Sequence, residues 1–122
     1  MSRPRAAHAR TRGEVVVVKL VSAVIVPSRF AAVQEALRRF GVLGLTVSEV
    51  FEQAGCPHSE LYRGQRFTVD LSPGVRLDIV AHDGDAADLV RIILRVAGGR
   101  VWVTPVDAMV RVRTGQRGVD AL

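Results

Sequence analysis

Two arginines near the C-terminal end of the sequence are spaced so that they could bind one anion together. Arg111 and Arg113 are two residues apart in MVRVRTG, where alternating apolar and basic side chains predict a strand from Met109 to Arg113. Side chains two apart on a strand lie on the same face, about 7 Å from each other, and paired guanidinium groups suit phosphate or carboxylate. Solvated strand charges and a salt bridge between subunits are the alternative interpretations.

A second pair of reactive side chains, Cys56 and His58, is also two residues apart. Two ligands do not complete a metal site, although copies from several subunits could converge. We favour an ordinary thiol and an ordinary histidine, predict no metal site, and leave the role of Cys56 open. The sequence offers no grouping of acid, base and nucleophile, so we predict no catalytic residues and a protein that is not an enzyme.

Composition favours a single globular domain in a reducing compartment. The chain has 122 residues, of which 48% are hydrophobic and 24% charged. No apolar run reaches the roughly 18 residues of a membrane-spanning helix. Because Cys56 is the only cysteine, an internal disulfide is impossible. The N-terminus does not resemble a secretory signal, so we expect a cytoplasmic protein.

Most of the net charge of +5 comes from the N-terminal segment MSRPRAAHARTRG. We expect residues 1–14 to form a disordered basic extension and residues 15–122 to form the folded domain. A basic tail can touch phosphate without sequence preference, but we expect no specific nucleic-acid partner. The arginines of this segment are Arg3, Arg5, Arg10 and Arg12.

The folded region consists of two similar strand–helix–strand units. A Val- and Ile-rich strand over 15–26 precedes a helix with Ser28 as its N-cap and Gly41 as its end. The second helix begins at Asp85 as N-cap, ends at Gly98 and Gly99, and leads into a strand from Val101 to Thr104. Apolar side chains at helical spacing define the buried faces: Phe30, Val33, Leu37 and Phe40, then Ala86, Leu89, Val90, Ile93 and Ala97.

Between the two helices lies a long polar segment. We predict a strand from Leu45 to Val50, an irregular loop over 51–66 that contains HSELYRGQR, and a strand over 67–79. Ser72, Pro73 and Gly74 indicate a turn or kink within that strand. A connection longer than about 12 to 15 residues in a compact domain is usually functional.

This order of elements predicts an α+β, ferredoxin-like double βαβ sandwich. Two helices would cover one face of a four-stranded antiparallel sheet, and the other face would remain bare and apolar. Such a face is costly in water, so we expect it to serve oligomerisation or ligand binding.

The segments GVLGLTVSEV (41–50), HSELYRGQRFTVDLSPGVRLDIV (58–80) and VWVTPVDAMVRVRTGQRGVDAL (101–122) resemble the PII nitrogen-regulatory signal-transduction proteins, the GlnB/GlnK-like family. The resemblance begins near Val18, which matches the initiator Met of that family, so the role of the first 17 residues stays open. It implies a homotrimer whose sheets pack around the threefold axis. It also implies a cytoplasmic regulator that reaches the membrane only through a transporter.

In the same family the segment matching 51–66 is the T-loop, which contacts partner proteins. The resemblance makes Tyr62 and Arg63 the partner-binding residues and implies an ammonium-transporter-type membrane protein or a metabolic enzyme as the partner. Phe67 occupies the position of the Tyr that relatives nucleotidylate, and Gln65 that of a phosphorylated residue. Neither modification is therefore expected.

The resemblance also implies a nucleotide site for ATP or ADP, but in a degenerate form. Relatives hold the phosphates with a glycine-rich loop that ends in Lys, whereas this sequence has only Gly98, Gly99 and Arg100 between helix and strand. Gly74 replaces the Lys that meets 2-oxoglutarate, so we do not expect that effector to bind. The proposed nucleotide residues are Thr46, Gly98, Gly99, Arg100, Arg111 and Arg113, with Thr46 near the adenine.

The function that we expect is a PII-like, noncatalytic regulator of nitrogen metabolism that controls a transporter or an enzyme through its T-loop and senses adenine nucleotides. The alternative is a degenerate paralogue that binds no nucleotide and acts as a structural or decoy subunit.

Overall fold

A computed structural model of the protein describes residues 17–62 and 65–122, with the backbone alone for 54–62 and 65–70. The strands are β1 (Val18–Ile25), β2 (Thr46–Tyr62), β3 (Gln65–His82) and β4 (Arg100–Pro105), and the helices are α1 (Phe30–Phe40) and α2 (Asp83–Val96). Short 3-10 turns cover Pro27–Arg29 and Gly118–Ala121. The predicted extension over residues 1–14 and the partner residue Arg63 lie outside the described residues.

The four strands form one antiparallel sheet in the order β2-β3-β1-β4. In the centre, Val21 lies opposite Ile79 on β3 and opposite Val103 on β4. The first and third strands are therefore central, and β2 and β4 are the edges. This arrangement, with its two helices, confirms the predicted ferredoxin-like α+β sandwich.

One face of each helix packs onto one face of the sheet, as the apolar spacing predicts. The side chains of Leu37 on α1 and Leu89 on α2 are 0% and 1% exposed. Each such side chain contributes about 1.5 to 3 kcal/mol to folding when it leaves water. The rest of the core consists of Val33, Phe40, Ala86 and Ile93 from the helices and Val21, Ala23, Ile25, Val75, Leu77, Ile79 and Ala81 from the sheet.

Both predicted N-caps are wrong. Pro27 opens a 3-10 turn that includes Ser28, so the N-cap of α1 is Arg29. Strand β3 runs directly into α2, which makes His82 the N-cap and places Asp85 inside the first turn, 2% exposed. An acidic residue is favourable there because the helix N-terminus carries partial positive charge. The predicted end of α1 is confirmed: Gly41 adopts a left-handed conformation with φ 120°.

The segment over 51–66 is not irregular where the structure describes it. Residues 51–62 continue β2 and residues 65 and 66 open β3, with a shift of register between Gln53 and His58. Of the turn or kink predicted at Ser72, Pro73 and Gly74, the turn is wrong, because these residues pair with Glu52, Phe51 and Val50 inside β3. A long β-hairpin arm, residues 51–62 and 65–74, therefore replaces the predicted loop.

The predicted strand from Met109 to Arg113 is wrong as well. Val110 makes an isolated bridge with Arg117, and residues 112–114 form a turn. The amide of Arg111 donates to the carbonyl of Gln116 at 2.7 Å, and the amide of Gly115 donates to the carbonyl of Arg111 at 2.7 Å. The chain reverses direction at Gly115, where φ is 75°. The amide and carbonyl of Arg111 are therefore hydrogen-bonded within this turn and are not available to a neighbouring strand.

Candidate functional site

A cavity of about 590 Å³ lies beneath the connection between α1 and β2. That connection, the end of β3, the first turns of α2 and the C-terminal segment form its walls. Its lining residues are Gly41, Val42, Leu43, Gly44, Leu45, Thr46, Asp78, Ile79, Val80, Ala81, His82, Asp85, Leu89, Met109 and Leu122. Thr46 is the only predicted site residue among them.

The lining is mostly aliphatic, with a few polar groups. Leu45, Met109 and Leu122 contribute apolar surface, whereas Thr46 and Asp78 are the polar residues of the β2–β3 wall, and the Thr46 hydroxyl can form hydrogen bonds. Apolar walls with a small number of placed polar groups suit a flat heterocycle of the size of a purine. Periodicity in the sequence identified Leu89 as core but gave no signal that Leu45, Asp78, Met109 and Leu122 would share this cavity.

Arg111 joins the C-terminus to the same region. Its guanidinium donates to the carbonyl of Leu122 at 2.8 Å and to the carbonyl of Ala121 at 3.2 Å. Leu122 and Thr46 both line the cavity, and Arg111 is bonded to Leu122, so Arg111 lies beside the cavity that contains Thr46. Arg113 is exposed in the adjoining turn. The predicted same-face arrangement of Arg111 and Arg113 on a strand therefore does not exist.

The other predicted nucleotide residues lie at the opposite edge of the sheet. Gly98 and Gly99 connect α2 to β4, and Arg100 is the first residue of β4. Both glycines have positive φ, and a Cβ on Gly99 would lie 2.6 Å from the Val24 carbonyl oxygen. This close approach makes Gly99 a structural requirement. The short connection agrees with the shortened loop predicted from the sequence.

The guanidinium of Arg100 bonds to the carboxylate of Glu52 at the base of the hairpin arm. Glu52 was not predicted as a site residue, and its position opposite Ser72 in the β2–β3 pairing explains how it reaches β4 near the end of β1. The only signal for Glu52 in the sequence is that it is the one acidic residue of FEQAG.

A polar network occupies the sheet face that carries no helix. The Ser22 hydroxyl donates to Asp78 at 2.7 Å, and Arg76 donates to the other Asp78 oxygen at 3.1 Å. The Arg76 hydrogen bond, followed by that of Ser22, lowers the pKa of Asp78, although partial burial opposes the shift. Arg76 also lies over the ring of Trp102. The expectation of a bare apolar face is therefore wrong, because polar and charged side chains occupy the centre of that face. Asp78 is also one of the residues that line the cavity.

Of the two predicted partner-binding residues, Tyr62 lies on the hairpin arm. Tyr62 is the last residue of β2 and pairs with Gln65 through the backbone, and Phe67 pairs with Glu60. At the base of the arm, the side chains of Phe51 and Leu71 are 73% and 60% exposed. Apolar groups of this exposure are available for contact with another molecule.

The sequence profile described as "Nitrogen regulatory protein P-II" matches residues 18–116. The P-II protein of Azospirillum brasilense is 37% identical over 113 residues, covering 85% of this chain and 99% of its own. GlnK of Escherichia coli is 34% identical over the same proportions of both chains. The chain belongs to the P-II nitrogen regulatory protein family, and its class is therefore that of a nitrogen signal-transduction regulator.

Solved structures agree in fold. GlnK of Bacillus subtilis superimposes with a TM-score of 0.71 at 25% identity, covering 87% of this chain and 99% of that chain. A second structure of that protein, a complex with ATP, superimposes with a TM-score of 0.68 at 20% identity, covering 87% of this chain and 98% of that chain. Arabidopsis thaliana PII bound to citrate superimposes with a TM-score of 0.69 at 26% identity, covering 87% of this chain and 92% of that chain.

Two further observations concern the residues that the structure describes. None of their helices combines the length and the apolar character that crossing a membrane requires. Within the same residues, no cluster of three or more His, Cys, Asp or Glu side chains could hold a metal ion. Cys56 and His58 are outside the described side chains.

Proposed function

We propose that this chain is a noncatalytic, cytoplasmic regulator that binds an adenine nucleotide between subunits of a homotrimer and controls a partner protein through its hairpin arm. The partner is a membrane transporter of the ammonium-transporter type or a metabolic enzyme. Membrane association, on this proposal, occurs only through such a transporter.

The observation that carries this proposal is the division of the nucleotide residues between two edges of the sheet. Thr46, the cavity and Arg111 form one half-site near β2, and Gly98, Gly99 and Arg100 form the other at β4. Two halves on opposite sides of one chain can form one site when identical chains meet head to tail. A heterologous contact of that kind closes into a ring, of which a trimer is one example.

The cavity supports an adenine ring in the first half-site. Its aliphatic walls can contact both faces of a purine, and the Thr46 hydroxyl can donate or accept a hydrogen bond at the ring edge. ATP is present in one structure of Bacillus subtilis GlnK, which shares the fold. This supports an adenine nucleotide as the ligand class for this chain, with ATP and ADP as the first candidates.

Binding of 2-oxoglutarate is not part of the proposal. The family Lys that would meet its carboxylate is Gly74 here, a buried residue between the side chains of Val24 and Val50. A Cβ at this position would lie 3.1 Å from Val24 Cγ1, so even a small side chain would press on its neighbour. The chain thus has no cation at that point of the sheet.

The hairpin arm is the proposed partner-binding element: Tyr62 is the last residue of β2, and Arg63 follows Tyr62 in the sequence. Beyond the pairing of Ile25 with Val75, β1 contributes no further residues to the sheet, so the arm extends past the core. An extended arm can enter a cleft or a pore without moving the domain, and the guanidinium of Arg63 could bind carbonyls or a carboxylate there. Phe51 and Leu71 supply apolar contact area at its base.

Light scattering and calorimetry on the full chain test the proposal. We expect a particle of three chains and saturable binding of at least one among ATP, ADP and AMP, and a Thr46→Val variant that binds more weakly. A monomer at micromolar concentration would contradict the proposal. A trimer that binds none of the three would instead favour the degenerate, structural or decoy subunit. The pairing of Arg100 with Glu52 and of Arg111 with the C-terminus favours that second candidate.

A further inference from the structure

The half-site at β4 lacks the positive charge that a chain of phosphates requires. Arg100 is its only cation among the predicted residues, and its guanidinium is bonded to the carboxylate of Glu52 from the same chain. The pair has no net charge. A triphosphate arriving at this point would have to displace Glu52 from Arg100 and would then lie beside an unpaired carboxylate.

The backbone at this corner is also unfavourable for anions. The connection follows the C-terminal end of α2, where unpaired carbonyls give the helix partial negative charge. The amide of Gly98 donates to the carbonyl of Leu94 at 3.1 Å, and the amide of Ala97 donates to Ile93 at 2.9 Å. These amides complete the end of the helix and are therefore already in use. A phosphate-binding loop needs several free amides that converge on one point.

The second half-site offers little compensation. Arg111 binds the carbonyls of Ala121 and Leu122, and the acidic residues Asp78 and Asp85 are among those that line the cavity. The cavity can therefore accept a heterocycle, but among the described side chains neither half-site presents an unengaged cluster of donors for a polyphosphate. A triphosphate does not fit the residues that are present.

From these contacts we infer that Glu52 is a specificity-determining residue that makes the site select adenine ligands with few phosphates over ATP. The Glu52 carboxylate pairs with Arg100, the one cation among the predicted residues of the β4 half-site. A phosphate that displaced this carboxylate from Arg100 would lie beside its negative charge. Affinity then falls with each added phosphate: adenosine and AMP bind better than ADP, and ADP better than ATP. This inference rests on the proposed nucleotide function and names its ligand class.

The ion pair can be broken without threatening the fold. The Arg100 and Glu52 side chains are 74% and 36% exposed, and an ion pair at such a surface contributes little to stability. Glu52→Gln removes the charge and keeps the shape. Glu49→Gln is the matched control, because Glu49 is an exposed residue three positions earlier on β2 with its side chain toward the opposite face.

Calorimetric titration with adenosine, AMP, ADP and ATP at one ionic strength tests the inference on wild type, Glu52→Gln and Glu49→Gln. For wild type we expect ATP to bind at least about tenfold more weakly than AMP. Glu52→Gln should raise ATP affinity by about tenfold to a hundredfold with adenosine affinity unchanged, because Arg100 becomes free for a charge-assisted bond. Glu49→Gln should retain the wild-type ratio of ATP affinity to AMP affinity.

Two results would overturn the inference while the proposed function stands: wild type that binds ATP as tightly as AMP, or Glu52→Gln with an unchanged ratio of ATP to AMP affinity. If no variant binds any of the four compounds, the inference and the nucleotide part of the proposed function both fail. The wild-type order of affinities needs no substitution, so the inference is tested even if Glu52→Gln does not fold.

Discussion

The guanidinium carbon of Arg76 lies 5.3 Å from the centroid of the Trp102 ring, on the sheet face that has no helix. The same guanidinium bonds to Asp78, which accepts a further hydrogen bond from Ser22. These four residues come from β1, β3 and β4, so one polar network connects three of the four strands. Ser22 is 0% exposed, which means that its neighbours cover the hydroxyl within a single chain.

Removal of the Trp102 ring should weaken this network. Trp102→Leu keeps an apolar side chain but eliminates the cation–π contact, which contributes about 0.5 to 1 kcal/mol at exposed sites. We expect urea denaturation to show a loss of that size, and Trp102→Phe should lose less because a ring remains. Equal stability of Trp102→Leu and wild type at the same oligomeric state would contradict the contact.

The network should also make stability depend on pH in the acid range. The Arg76 and Ser22 hydrogen bonds hold the pKa of Asp78 below its ordinary value of 3.8, so the folded state binds the proton less readily than the unfolded state. The stabilisation is present above pH 3.8 and is lost as the pH falls through the lower, folded-state value. Asp78→Asn should be less stable than wild type at pH 6, and the difference should shrink by pH 2. Urea midpoints across this range provide the measurement.

Gly99 should tolerate substitution less well than its neighbour Gly98. Both have positive φ, which costs an L-residue about 1 to 2 kcal/mol, but only at Gly99 would a Cβ meet backbone, 2.6 Å from the Val24 oxygen. We expect Gly99→Ala to lower the free energy of unfolding by more than Gly98→Ala, whose Cβ has nothing within 4 Å. If thermal denaturation gave equal losses for the two variants, the close approach of the α2–β4 connection to β1 would be refuted.

Leu37 should be a major contributor to the core. Its side chain is 0% exposed between α1 and the sheet, so Leu37→Ala should cost about 2 to 5 kcal/mol. Leu43→Ala serves as the control, because Leu43 is 93% exposed and its truncation should change stability by less than about 0.5 kcal/mol. Similar losses at the two positions would show that α1 does not pack as described.

Apolar spacing in the sequence predicts both helices and their buried faces, because a period of 3.6 residues brings Val33, Leu37 and Phe40 together whatever the sequence around them. Caps were less predictable. Ser28 has the right side chain for an N-cap, but Pro27 starts a 3-10 turn one residue before it and shifts the boundary. At α2 the position of the cap depends on where β3 ends, which is a tertiary property.

The hairpin arm was missed for a different reason. Gly, Pro and polar residues normally interrupt strands, and Pro73 has no N–H for a ladder. At Pro73, however, β1 has already ended, so within the described part of the chain β3 pairs on one side only and can accommodate the missing donor. The Glu52–Arg100 pair was equally hidden, since its partners are 48 residues apart in sequence and meet only because β2 extends past the core.

Past Ile25 and its partner Val75, the two longest strands pair through their backbones with no further strand among the described residues. A two-stranded ribbon is marginally stable by itself, so its sequence contributes little to whether the domain folds. The outer ribbon can therefore accumulate substitutions at low cost while the inner sheet remains under strict packing constraints. A chain built this way can change what it recognises much faster than it can change its architecture.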